Sequence, residues 1–139
     1  MGQPIAPTQG IAFAFPDVCK TPAPPGPPVP IPYPNIAQLN QATGITDQSN
    51  KELLVGPSSL HVLLLDSEIA TSTGDEAGSV GGVSSGTIKG KCKITKASNS
   101  VVYGPDKKGI ARFMDTTSQN NDNATGMVLG AFPTVLVGD

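Results

Sequence analysis

The chain has 139 residues, a net charge of −2, 14% charged residues, 4% aromatic residues and no tryptophan. That length suits one domain with a modest core, and the charge balance excludes the basic stripe of a nucleic-acid binder. Sixteen glycines and fourteen prolines point to a small, turn-rich all-β protein with at most one short helix.

Met1 to Gln9 reads as a flexible polar lead, with no basic region and apolar stretch of the kind a secretory signal has. Gly10 to Phe15 is a short strand. From Phe15 to Asn35 the chain runs FPDVCKTPAPPGPPVPIPYPN and holds nine of the fourteen prolines. Each proline fixes φ and removes a backbone donor, and each residue before a proline is pushed to extended backbone. The expectation is an extended, hydrogen-bond-poor ribbon rather than a central strand, reversed at Pro25-Gly26. A linker would share this composition. Phe15, Val18, Val29, Ile31 and Tyr33 argue instead for apolar anchors holding the ribbon to a body.

Asn35 to Ala42 suits one or two helical turns with Asn35 as N-cap, ended by Gly44, and residues 45–52 read as loop. Short strands follow at 53–55, 60–65 and 68–71. Residues 73–86, with five glycines in fourteen residues, form a loop of tight turns. Residues 86–97 alternate as a strand with a slip at Gly90, and Lys89, Lys91, Lys93 and Lys96 mark its solvated face. Further strands are expected at 101–103, 110–114, 126–132 and 134–137, with 115–123 (DTTSQNNDN) as a polar loop. About eight short strands with frequent turns suggest a barrel or sandwich-like body. No window approaches the roughly 18 apolar residues that span a membrane.

No convergent acid–base or nucleophile set is present. His61 is the single histidine and sits in an apolar run. The glycine-rich segment lacks the Lys-Ser/Thr ending of a phosphate-binding loop, and Asp75-Glu76 lacks the alternating oxygen ligands of a calcium loop. The two cysteines, Cys19 and Cys92, fit free thiols, a single disulfide or metal ligands. With His61 they make a candidate zinc set one ligand short of a closed structural site.

Three segments carry a resemblance. Residues 15–37 (FPDVCKTPAPPGPPVPIPYPNIA) resemble the opening signature of the PAAR-like spike-tip family, also labelled DUF4150. The matching positions are Phe15, Pro16, Asp17, Pro30, Pro32, Tyr33, Pro34 and Asn35. Residues 72–91 (STGDEAGSVGGVSSGTIKGK) resemble its glycine-rich centre, with Gly74, Asp75, Gly81 and Gly82. Residues 111–129 (ARFMDTTSQNNDNATGMVL) resemble its closing segment, with Arg112, Asp115 and Asn120.

The resemblance implies a single PAAR-like domain over residues 1–139, folded as a small β cone. It implies a non-enzymatic structural protein that caps the trimeric β-helical spike of a contractile injection system, such as type VI secretion, at one tip per trimer. Such a tip assembles in the bacterial cytoplasm and leaves with the apparatus. An adaptor loading effector cargo onto the spike is the second role the family allows. Neither role needs nucleic acid or stable membrane insertion. Strands at 60–65, 86–97 and 126–132 are the candidate edges for extending the spike's sheets. The family's zinc-binding relatives resemble A-R-x-G-D followed four positions on by a histidine ligand. Here Met114 stands for the glycine and Gln119 for the histidine. A neutral carboxamide ligates zinc poorly, so no metal is favoured and packing is expected to hold the apex, with Cys19, His61 and Cys92 as the alternative ligand set.

Overall fold

The computed structural model describes residues 2–47 and 52–139. In chain order the elements are β1 (Gln3–Ile5), β2 (Ile11–Ala23), β3 (Gly26–Gln38), a 3-10 turn (Leu39–Gln41), β4 (Leu54–Val55), β5 (Leu60–His61), β6 (Glu68–Ile69), β7 (Gly81–Gly82), β8 (Cys92–Ile94), β9 (Val102–Tyr103), β10 (Lys108–Gly109), β11 (Thr116–Gln119), β12 (Ala124–Val128) and β13 (Phe132–Val137). The main sheet has the order β3-β2-β12-β11-β8-β6, with β7 added to β2. Three two-stranded pairs, β1-β13, β9-β10 and β4-β5, complete a fold of open sheets without a long helix among the described residues.

The proline-rich run is not a hydrogen-bond-poor ribbon. It forms a long antiparallel hairpin whose reversal falls at Pro24-Pro25, between Ala23 and Gly26. β2 lies inside the sheet, with β3 on one side and β12 and then β7 on the other. The proline spacing explains how this is tolerated. Val18 and Lys20 turn their carbonyls toward the loop around β7, accepting from Val83 N (2.9 Å) and Val80 N (3.1 Å). Asp17, Cys19 and Thr21 therefore face β3, opposite Tyr33, Ile31 and Val29, all of which keep an N–H. Pro30, Pro32 and Pro34 have the other parity and point their donorless nitrogens outward, the placement an edge strand permits. A bulge at Phe15-Pro16 switches the parity of β2 between its halves.

Two apolar clusters fill the interior. One gathers Ala12, Ala37, Leu39, Leu63, Ile94 and Val128 with Cys92. The other gathers Ile5, Val55, Val62, Leu64, Ile110 and Val137.

Several expectations are corrected. The lead is ordered from Gln3: β1 pairs with β13, and Ile5 and Ala6 are buried. Phe15 (58% exposed), Val29 (44%) and Ile31 (37%) are not anchors; the hairpin is held by its ladder instead. Asn35 is not an N-cap. It lies in β3, and Gln38 precedes the 3-10 turn without a side-chain cap. Residues 110–114 make only isolated bridges at Ile110 and Arg112 before turning at Met114, whose φ is 73°. The polar run 115–123 supplies β11, paired between β8 and β12, with Thr117 and Gln119 fully buried. The proposed docking edges are occupied. β12 lies between β2 and β11, β8 between β6 and β11, and residues 60–64 pair with β4, Thr8, Ala6 and Ile110. Residues 48–51 of the expected 45–52 loop lie outside the described residues.

Candidate functional site

The deepest polar group of the fold lies where the second half of β2 meets the loop from Ser72 to Gly90. Asp17, Cys19, Asn35, Ser72, Asp75, Gln119 and Asn120 are all completely buried. Alternation along β2 puts Asp17 and Cys19 on one face, beside Asn35 from β3. The loop brings Asp75 onto the same spot through its carboxylate, which accepts from the backbone N–H of Lys89 at 3.0 Å. Glycine is required for this approach. A Cβ on Gly78 would overlap the Cβ of Cys19, and one on Gly82 would overlap the side chain of Asn123.

Three carboxamides converge on Asp17, and each has its orientation fixed from behind. Asn120 accepts from Gly90 N (2.9 Å) through Oδ1 and donates through Nδ2 to Asp17 Oδ1 (3.2 Å). Asn123 accepts from Ser84 N (2.8 Å) and Ser85 N (3.1 Å), so its Nδ2 also faces Asp17 Oδ1. Asn35 accepts from Gln119 Nε2 (2.8 Å) and donates to Asp17 Oδ2 (3.1 Å), Ser72 Oγ (2.9 Å) and Asp75 Oδ2 (3.4 Å). Gln119 is fixed in turn, since its Nε2 also donates to the backbone oxygen of Asn35 at 3.0 Å. The backbone thus decides that every amide presents N–H, not oxygen, to the carboxylates.

Burial, and then the hydrogen bond with Asp17, push the Asp75 carboxyl up to about 6. Burial and the nearby carboxylates push the Cys19 thiol up to about 12. The thiol lies 3.6 Å from Asp17 Oδ1 and 4.0 Å from Asp75 Oδ2. Two buried carboxylates a few ångströms apart disfavour a second negative charge. No side chain of lysine, arginine or histidine pairs with either of them among the described residues.

A family model described as Toxin PAAR-like domain matches residues 10–126, and thus most of the chain. The chain belongs to that family. The DNase toxin Tse7 of Pseudomonas aeruginosa is 36% identical to it over 121 residues, which cover 81% of this chain and 29% of the toxin. The PAAR-like chain therefore spans less than a third of that relative. It corresponds to its PAAR-like structural domain, not to its catalytic portion. No solved structure matches the chain.

In this PAAR-like domain the signature residues divide into groups. Asp17, Asn35, Asp75 and Asn120 come together in one network. Tyr33 stands at its margin, its hydroxyl 2.7 Å from Thr21 Oγ1. Gly74 and Gly81 hold left-handed backbone at φ 114° and 113°, and Gly82 pairs with Cys19. Pro30, Pro32 and Pro34 line the free edge, Pro16 sits in the bulge and Phe15 faces solvent. Arg112 and Asp115 form a separate buried ion pair at 3.1 Å. Sequence reasoning missed Asn123, Ser72 and Thr87, whose backbone oxygen accepts from Asn120 Nδ2 at 2.8 Å, and took Gln119 only for an absent ligand. The i, i+2 spacing of Thr117 and Gln119, just before a turn rich in asparagine, was the available signal.

The candidate zinc set changes membership. His61 contacts the Thr46 carbonyl (3.1 Å). Cys92 sits in the apolar core, where burial raises its thiol to about 12. Both cysteines are free thiols. Asp17, Cys19 and Asp75, by contrast, each offer a ligand atom, all within 4.8 Å of one another. A thiol and two carboxylates are ligand types zinc accepts, so this buried group can hold a metal such as zinc. A shallow cleft of about 220 Å³ lined by Glu68, Lys91, Lys93, Ser118, Asn121 and Asp122 shares none of these residues.

Proposed function

We propose that the chain is a structural tip for the spike of a contractile injection system, seated on the blunt end of a trimeric β-helical shaft at one copy per trimer. The observation that carries this reading is the family match over residues 10–126. The hairpin of β2 and β3 suits mechanical duty. Its ladder covers nearly its whole length, and its prolines limit the freedom gained on unfolding. Resistance to forced unfolding depends on the unfolding rate, which such a ladder lowers.

A second reading is an adaptor that carries an effector on the spike: the chain is similar to part of a DNase toxin. In either role the protein would assemble in the bacterial cytoplasm and travel outward with the apparatus. Among the described residues no helix is long and apolar enough to cross a membrane. Co-purification with a trimeric spike protein alone tests the tip reading. A complex of one chain per trimer is expected. Association that requires an added toxin would favour the adaptor, and no association under either condition would overturn both.

A further inference from the structure

Three distant segments are joined in a ring. Ala6 N donates to Ala111 O (3.1 Å), Ala111 N to Leu63 O (2.9 Å) and Leu63 N to Ala6 O (3.0 Å). The pattern recurs two residues further along each segment, where Thr8 N donates to His61 O (2.9 Å), Leu65 N to Gly109 O (2.8 Å) and Phe113 N to Pro4 O (2.8 Å). The bridges Ile5–Arg112, Pro7–Val62 and Leu64–Ile110 follow the same cyclic order. The backbone here is therefore built from three equivalent units.

The equivalence extends into the walls that rise from the ring. Leu129 N donates to Ile11 O (2.8 Å), Thr95 N to Thr116 O (3.0 Å) and Thr43 N to Glu68 O (2.8 Å). Along the first two of these walls, Phe13 pairs with Met127 where Ser118 pairs with Lys93. The walls share a backbone pattern but not a surface. Thr95, Thr116, Lys93 and Ser118 make one polar, and Thr43 and Glu68 another. On the wall of β2 and β12, Met127 and Leu129 are each 38% exposed and Phe15 is 58% exposed, beside half-buried Ile11 and Phe13. The same backbone accepts threonine, serine and lysine at the matching positions, so the fold itself does not call for apolar residues there.

We propose that this wall is a docking face for one amphipathic helix of a separate cargo chain, received by Ile11, Phe13, Phe15, Met127 and Leu129. It rests on the adaptor reading above and deepens it by naming the face and the kind of segment it holds. A threefold shaft meets features that its tip offers three times, whereas a face offered once suits a partner met once. β2 and β12 lie between β3 and β11, so neither has a free edge for strand addition, and contact is through side chains. None of the five residues is charged, so the complementary face is apolar. The stripe spans two strands, about 10 Å, which is the breadth of one helix. Its area, roughly 200 Å², is far below the about 800 Å² that each partner buries in a standard interface, which disfavours a second copy of this chain. An open sheet face is commonly covered by a helical layer, and a flexible methionine adapts to such a partner.

The test uses the full chain in bacteria that assemble the apparatus. A photo-crosslinking phenylalanine analogue is placed at position 127 and, as the control, at the equivalent position 93. Position 127 should join to a chain other than the spike, at a peptide whose apolar residues recur three and four apart; position 93 should not. That peptide, synthesised, should gain helical circular dichroism on binding the purified protein. Met127→Lys with Leu129→Thr installs the residues that the neighbouring wall carries at the matching positions. It should weaken peptide binding by about tenfold or more, as loss of buried apolar anchors does, and should leave the thermal midpoint and the spike complex unchanged. Phe15→Ser, at the most exposed of the five positions, reports the same loss if the double variant folds poorly. A position-127 product with the spike or with a second copy, no product, or a peptide that binds unfolded would overturn the proposal. So would loss of the spike complex in a folded double variant, since the wall would then belong to the seat. A parent chain that never joins the spike but still yields the helical position-127 product would overturn the tip reading and support this face.

Discussion

The side-chain amide of Gln119 on β11 donates to the side-chain oxygen of Asn35 on β3 at 2.8 Å, reaching beneath the two strands between them. The row it crosses pairs Thr117 with Gly126, Gly126 with Ala14 and Ala14 with Asn35. Only glycine and alanine stand in its path, and a Cβ on Gly126 would lie 2.6 Å from Gln119 Oε1. Gln119→Leu leaves the Asn35 side-chain oxygen without this donor. It should cost about 1–3 kcal/mol, the usual penalty for a stranded buried polar group. Urea unfolding measures it, and a midpoint equal to that of the parent protein would contradict the role.

Met114 occupies left-handed backbone at φ 73° and is 46% exposed. An L side chain in that region costs about 1–2 kcal/mol, and this one recovers little by burial. Met114→Gly should therefore stabilise the fold by up to about 1 kcal/mol, the gain being trimmed by the extra freedom of glycine in the unfolded chain. Thermal denaturation checks the sign: a lower midpoint would show that the methionine packing outweighs the strain.

Arg112 and Asp115 pair through two side-chain contacts of 3.1 Å. Asp115 also accepts from Arg112 N at 2.8 Å, and Arg112 Nη1 reaches the Gly138 carbonyl at 3.3 Å. Both are nearly fully buried, at 7% and 2% side-chain exposure. Removing one partner strands the other charge, so Asp115→Ala should cost about 3–5 kcal/mol. The double variant Arg112→Met, Asp115→Leu should recover part of that loss. Chemical denaturation of the single and double variants separates ion-pair breakage from loss of packing.

The all-β class, the short strands and the hairpin reversal near Pro25 were legible, because glycine, proline and alternation act locally. The pairing of β2 with β3 was hidden by the prolines themselves. Counting missing donors suggests an unpaired ribbon, and only parity shows that Pro30, Pro32 and Pro34 all surrender donors on the solvent side. β11 was hidden by polarity: Thr117 and Gln119 look like loop residues until the strand partners of Thr117, Ile94 and Gly126, and the Asn35 contact of Gln119 are known. The metal candidate was half visible. Cys19 could be named, but Asp17 and Asp75 join it only through the fold.

The same parity argument yields a prediction about association. β3 is an edge of the main sheet, with Val29 and Ile31 exposed along it. An unblocked edge of this length is a template for pairing with another chain. Pro30, Pro32 and Pro34 deny it donors over three successive outward positions. Replacing all three with alanine restores those donors without removing any hydrogen bond to β2. Unfolding should quicken, because the unfolded chain gains freedom worth about 0.4–1 kcal/mol per proline. The triple variant should also associate as concentration rises, which light scattering would detect. A variant that stays monomeric at all concentrations, with unfolding kinetics unchanged, would show that the prolines neither guard the edge nor stiffen the hairpin.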